Sequence, residues 1–149
     1  MSVSVQKADF DVGAEIAALS AGDDGAGAVA SFVGLVRGAG IDAMTLEHYQ
    51  GMTEKSLAEI VAEACHRWNL RRVRVIHRVG RLLPGERIVF VGVSSSHRRD
   101  AFAACEFVMD YLKTRAPFWK KEEGAAGAKW VDARESDDAA ASRWEPGGG

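Results

Sequence analysis

The feature that most constrains the fold is an apolar run, Ile88 to Val93, that stops at three serines, Ser94 to Ser96, and passes into a helical pattern. The run reads as a strand. Beyond it Ala101, Ala104, Cys105, Val108 and Leu112 recur at spacings of three and four, which makes one apolar stripe of a helix. Any of the three serines offers an amino-terminal cap, and Asp100 suits the first turn. Pro117 disfavours helical geometry at Ala116, so the helix is expected to stop near Arg115.

Two groups of cations decorate this segment. His97, Arg98 and Arg99 stand at the amino end of the helix, where free N–H groups and the helix dipole already favour an anion. Cations there oppose the dipole unless an anion lies among them. At the exit, Lys113 and Lys120 flank the aromatic pair Phe118 and Trp119. A solvated basic face, with cations suiting the carboxyl end of the helix, satisfies the same spacing. An anionic ligand is the sharper alternative.

Composition narrows the classes. With 149 residues, 47% of them hydrophobic, the chain has enough core for one domain, expected over 1–145 with a glycine-rich tail at 146–149. A net charge of −2 gives no electrostatic support for general nucleic-acid binding, so the positive charge is a local matter. No stretch approaches the ~18 apolar residues of a membrane span, and no signal-peptide pattern is visible at the amino end. Cys65 and Cys105 fall on expected helices without a CxxC pair, which suggests reduced thiols used for packing. His48, His66, His77 and His97 lack ligand spacing, so no metal site is expected.

Taken in order, residues 2–6 alternate as a short edge strand and Val12 to Leu19 suit a short helix. Ala28 to Arg37 and Ala43 to Tyr49 read as strands joined through Gly38 and Gly40, and are expected to form a hairpin. Thr53 is the expected cap of a helix carrying Leu57, Ile60, Val61, Ala64, Cys65 and Trp68, with Asn69 as its stop. Arg72 to Val79 is a strand, and Pro84-Gly85 a turn before the run at Ile88. Gly124 to Gly127 suggests a flexible loop, Lys129 to Val131 a short strand, and Asp137 to Trp144 a weak helix. Hairpins mixed with two long amphipathic helices indicate an α+β domain.

Certain motifs then become recognisable: Phe32-x-Gly34-x-Val36-Arg37, Leu46 to Tyr49, Gly51 to Lys55, Val75 to Arg78, Pro84-Gly85 and Ser96 to Arg98. With Asp110 to Lys120 and Trp130 to Ser136 they resemble the large, catalytic subunit of molybdopterin synthase, the MoaE family. The resemblance spans roughly residues 28–144. It implies an α/β hammerhead fold and a cytoplasmic step of molybdenum cofactor biosynthesis. It further implies a sulfurtransferase that installs the dithiolene sulfurs on cyclic pyranopterin monophosphate. The sulfur donor would be the thiocarboxylated carboxyl-terminal glycine of a small ubiquitin-like subunit. The assembly would be a homodimer of large subunits carrying one small subunit at each end, a heterotetramer, with no cofactor, nucleic acid or membrane.

The same resemblance makes Lys113 and Lys120 the active-site lysines and places Val36, Arg37, His97, Arg98 and, past the match, Lys121 against substrate. The residues suit that chemistry: arginine and histidine give charge-assisted bonds to a phosphate, and a lysine can exchange a proton, form an amine adduct or stabilise developing negative charge. His77 reads more simply as a packed, hydrogen-bonded histidine, Trp68 and Phe107 as core, and Cys105 as packing. Phe118 and Trp119 suit either stacking on a pterin or anchoring the chain after Pro117. Leu35 stands where relatives commonly have lysine, the Gly38–Asp42 turn is shorter than in many, and the Gly147–Gly149 tail lies outside the pattern. A different phosphate-ligand transferase, or a non-catalytic phosphate or nucleotide binding module, would account for the cations alone.

Overall fold

A computed structural model describes residues 2–125, 127–131, 142, 144 and 145. Its elements are β1 (Ser2–Gln6), α1 (Val12–Ala18), β2 (Ala28–Leu35), β3 (Ala43–His48), α2 (Met52–Arg67), β4 (Leu70–Arg78), β5 (Gly80–Leu82), β6 (Arg87–Ser95), α3 (Arg98–Arg115), β7 (Phe118–Gly124) and β8 (Gly127–Val131). They form two four-stranded sheets, ordered β1-β4-β6-β2 and β5-β3-β7-β8. Every pairing is antiparallel except β1 with β4. Among the described residues no helix is long and apolar enough to cross a membrane.

The unbroken apolar character of residues 88–93 follows from burial on both faces. Val89, Val91 and Val93 join Leu57, Phe107 and Val108 in the main core beneath α2 and α3. Phe90 points the other way, into a smaller cluster with Phe10, Leu19 and Ile76. Gly92 shares that second face, where an added Cβ would lie 2.5 Å from Leu19 and 2.8 Å from the Phe90 ring. A strand coated on both sides cannot alternate polar and apolar residues.

Several of the sequence expectations are overturned. The strands at 28–35 and 43–48 do not form a hairpin: β2 pairs with β6 in the first sheet, and β3 pairs with β5 and β7 in the second. The Gly38–Gly40 segment therefore carries the chain between sheets. Nor do the serines cap α3. Ser94 and Ser95 continue β6 at 0% and 1% exposure, so their hydroxyls must be satisfied locally. Ser94 Oγ accepts from Arg72 N at 3.1 Å, and Ser95 Oγ donates to the Asn69 carbonyl at 2.8 Å. Ser96 Oγ donates to the Gly25 carbonyl at 3.0 Å, and the residue at the cap position is His97, without a side-chain cap.

Thr53 likewise lies one residue inside α2, whose cap position is Gly51 at φ +86°. Phe118 to Lys121, for which no strand was expected, is the start of strand β7. Gly124 and Gly127 pair across the β7–β8 turn, so the expected loop is a tight hairpin. The helix expected over 137–144 and the tail at 146–149 lie almost wholly outside the described residues. Trp144 is described: its ring packs edge-on to Trp68 and Phe107, and its Nε1 donates to Asp110 Oδ2 at 2.6 Å.

Gly27, just before β2, donates its N–H to the Ser95 carbonyl at 2.9 Å, and its bare Cα lies so close to Ser96 that a Cβ would overlap the Ser96 carbonyl oxygen. That oxygen is backbone and cannot swing aside. Gly27→Ala is expected to lower the unfolding free energy by about 1–3 kcal/mol, the cost of a forced overlap. A shift in urea midpoint at constant m-value measures it.

Candidate functional site

Pro117 ends α3 and turns the chain into β7, and this connection decides where the lysines stand. Lys113 is exposed in the last turns of α3. Lys120 is the third residue of β7, opposite Leu46 of β3. Strand alternation puts Phe118, Lys120 and Glu122 on one face of the sheet and Trp119, Lys121 and Glu123 on the other. The Lys120 side chain is one-third exposed, and its Nζ lies 3.6 Å from Glu122 Oε1.

The link between the lysines is pinned from two elements. Thr53 Oγ1, in α2, donates to the Pro117 carbonyl at 3.0 Å, and the buried ring of His77, in β4, stacks on Phe118 with centroids 3.9 Å apart at 22°. His77 Nδ1 lies 2.9 Å from the Arg78 carbonyl oxygen, which makes Nδ1 the protonated nitrogen. Burial pushes the His77 pKa down to about 4, helped by the nearby charges of Lys113 and His48. His77 is thus the packed, hydrogen-bonded residue anticipated from its mid-strand position. Phe118 anchors the chain, whereas Trp119 is exposed and meets Tyr49 edge-on at 4.2 Å.

Arg37 joins the lysine end of the molecule. It follows β2 and lines a cleft of about 440 Å³ with Gly40, Ile41, Glu122, Gly124 and Lys129. Val36 is buried, and both its backbone groups are used, its N–H by the Glu86 carbonyl and its carbonyl by the Gly85 N–H. Its side chain is apolar and buried, which leaves the second lone pair of that carbonyl as the group it could offer a ligand.

His97 and Arg98 are elsewhere. Ala28 pairs with Ser95 and Leu35 with Arg87, so the start of α3 and Arg37 lie at opposite ends of the first sheet. Eight strand residues span roughly 25 Å, and the 18 residues of α3 return a similar length, about 27 Å. Within one chain, then, Arg37, Lys113 and Lys120 gather at one end while His97 and Arg98 stand at the other. Lys121 projects from the face opposite Lys120.

Cys105 is buried with Sγ 3.8 Å from the Val91 carbonyl oxygen, and burial pushes its thiol up to about 11, which leaves no reactive thiolate near neutral pH. Among the described residues no three His, Cys, Asp or Glu side chains are gathered to hold a metal.

Residues 5–115 match the family described as MoaE protein. The chain belongs to the MoaE family. It is 61% identical to the molybdopterin synthase catalytic subunit of Ralstonia nicotianae, over 96% of this chain and 84% of that protein. Its fold is similar to the molybdopterin biosynthesis MoaE protein from Burkholderia ambifaria, with TM-score 0.84, 59% identity, and 96% and 97% of the two chains covered. It is also similar to molybdopterin synthase from Staphylococcus aureus, with TM-score 0.80, 30% identity, and 86% and 95% covered. Within this MoaE-family chain, sequence motifs located the cations but could not divide them between the two ends of the fold.

The buried neutral histidine has a consequence for stability. Its pKa is lowered from 6.5 to about 4 in the fold, so above pH 6.5 neither state binds the proton. Between those values the unfolded chain binds it and the folded chain does not. The unfolding free energy is expected to fall as pH drops through this window, by about 1.4 kcal/mol per unit where the difference is one full proton. His77→Phe, compared with the unsubstituted chain by urea unfolding at pH 7, 6 and 5, is expected to remove that share of the pH dependence.

Proposed function

We propose that this chain is the catalytic subunit of a molybdopterin synthase. It accepts sulfur from the thiocarboxylated end of a small ubiquitin-like subunit and transfers it to cyclic pyranopterin monophosphate, building the dithiolene of molybdopterin. The observation that supports the reading is the placement of Lys113 in the last turns of α3, Lys120 early in β7 and Arg37 just after β2, all toward the end of the fold where β7 leaves the Pro117 break. Arg37 supplies a planar, permanently charged fork for phosphate. The lysines stabilise charge as sulfur attacks the pterin side chain, or exchange a proton with it. Residues 1–145 are the catalytic domain in this reading, 146–149 stand outside it, and the location is cytoplasmic.

The remaining anion-binding groups come from a second copy. Strand β2 is an edge of its sheet, its eight residues carry no charge, and Val29, Phe32 and Leu35 are 38%, 42% and 57% exposed. An uncharged apolar edge is a template for another strand. Antiparallel pairing of two β2 strands about a two-fold axis reverses the ends of the sheet. Arg37 of one copy then approaches His97 and Arg98 of the other, and two equivalent composite sites result. Phe102, 66% exposed on α3, adds to the apolar surface available beside that edge.

Three measurements test these statements. Lys113→Arg and Lys120→Arg are each expected to fold, keep the small subunit bound, and lose roughly 10²–10⁴ in product formation, the range for a removed proton-transfer group. Near-normal turnover in both would reduce the lysines to holders of charge and favour a binding module. Arg37→Ala and Arg98→Ala are each expected to weaken substrate binding by about 1.5–3 kcal/mol. At a substrate concentration too low for either variant to turn over alone, mixing the two under subunit exchange should restore about a quarter of normal turnover, because half the dimers regain one intact site. No recovery would refute the composite site.

A further inference from the structure

We propose that His77 is a positioning residue for the lysine pair: its imidazole seats Phe118 at the start of β7 and so sets where Lys120 stands relative to Lys113. The inference rests on the reading of those lysines as the reacting groups, and it concerns a residue that touches neither substrate nor donor.

The position is an unlikely place for a merely space-filling imidazole. His77 is 4% exposed on an interior strand, between Val5 of β1 and Val89 of β6. An aliphatic side chain would fill that space without the cost of burying two ring nitrogens. The hydrogen bond from Nδ1 to the carbonyl oxygen of Arg78 fixes the ring about its own axis and leaves one flat face for Phe118. The phenyl ring lies on that face nearly parallel, an offset-stacking geometry in which each ring restrains the tilt of the other.

What is restrained matters because of its place in the chain. Pro117 and Phe118 are consecutive, and each is held from a different element: Pro117 by Thr53 of α2 and Phe118 by His77 of β4. The Phe118 N–H closes back on the Ala116 carbonyl at 3.0 Å, so the connection is tight between the two anchors. Lys113 lies four residues before this clamp and Lys120 two residues after it, on the same strand face as Phe118. Tilt at Phe118 is therefore passed to Lys120 through two residues of extended backbone. His48, opposite Phe118 across the β3–β7 ladder, and Lys113 both disfavour a proton on His77, as burial does, so the stacked ring stays neutral near neutral pH.

The experiment uses the chain assembled with its small subunit, in three forms: unsubstituted, His77→Gln and His77→Phe. Glutamine keeps a polar side chain and loses the ring, whereas phenylalanine keeps the ring. Trace acetylation by acetic anhydride, read by mass spectrometry, reports Lys113 and Lys120 against the exposed Lys7 and Lys55 and needs no substrate. In His77→Gln the Lys120 ratio should change by roughly threefold or more, with kcat down roughly tenfold or more and KM little altered, as expected for a displaced reacting group. His77→Phe, which keeps a ring for Phe118 but loses the bond to the Arg78 carbonyl, should restore part of both. Phe118→Leu, which removes the other ring, should reproduce the glutamine result, and in a Lys120→Ala background His77→Gln should cost nothing further. An unchanged Lys120 ratio in folded His77→Gln or Phe118→Leu, or losses that multiply with Lys120→Ala, would overturn the proposal. If the unsubstituted complex makes no product, the proposed function fails while the acetylation ratios still decide the role of His77.

Discussion

The fold depends on the burial of one strand, β6, on both of its faces. Its valines lie in the main core against α3, and Phe90 meets the cluster closed by Phe10 and Leu19. A strand enclosed in this way must satisfy every polar group it carries, and that requirement shapes its end. The hydroxyls of Ser94 and Ser95 are bound to Arg72 N and the Asn69 carbonyl, which ties β6 to the entry of β4. With the end of β6 held there, α3 starts at a defined place and runs back along the sheet. Its length sets the distance between the two groups of cations.

The second sheet is joined to this frame where α3 ends. Pro117 removes the helical option, Thr53 holds its carbonyl, and His77 receives the ring of Phe118. From that anchored origin β7 pairs with β3, and alternation alone assigns Lys120 and Lys121 to opposite faces. The end of the molecule that carries Lys113 and Lys120 is thus a product of one chain break and two tertiary contacts. The opposite end presents His97 and Arg98 at a helix amino terminus, where the dipole disfavours cations unless an anion accompanies them. The edge strand of the first sheet, β2, is uncharged.

The division between what was legible and what was not runs along particular residues. The amphipathic stripe of α3, its stop before Pro117 and the strands expected at 2–6, 72–79 and 88–93 were readable because each is a local pattern of period or of backbone restriction. The cations at 37, 97, 98, 113 and 120 were readable as residues of a family motif. The supposed hairpin of β2 and β3 was not, since two strands joined by a short glycine segment look alike whether they pair or part. The serines misled for a related reason: a hydroxyl that caps a helix and one that satisfies a buried strand end carry the same sequence signal. Strand β7 was hidden because its polar run, Lys120 to Glu123, has no apolar alternation to mark it.

By itself, therefore, the sequence determined the secondary elements whose signals are local, the family, and the identities of the charged groups. Periodicity, proline geometry and motif residues act within a few positions of one another, so no folded partner is needed to read them. Only the tertiary structure decided which strands pair, which face Lys120 occupies, and that His97 and Arg98 stand a sheet-length away from Arg37. Those outcomes are set by which apolar surfaces meet and which buried polar groups find partners. Such choices are made between segments far apart in the chain, where spacing carries no information.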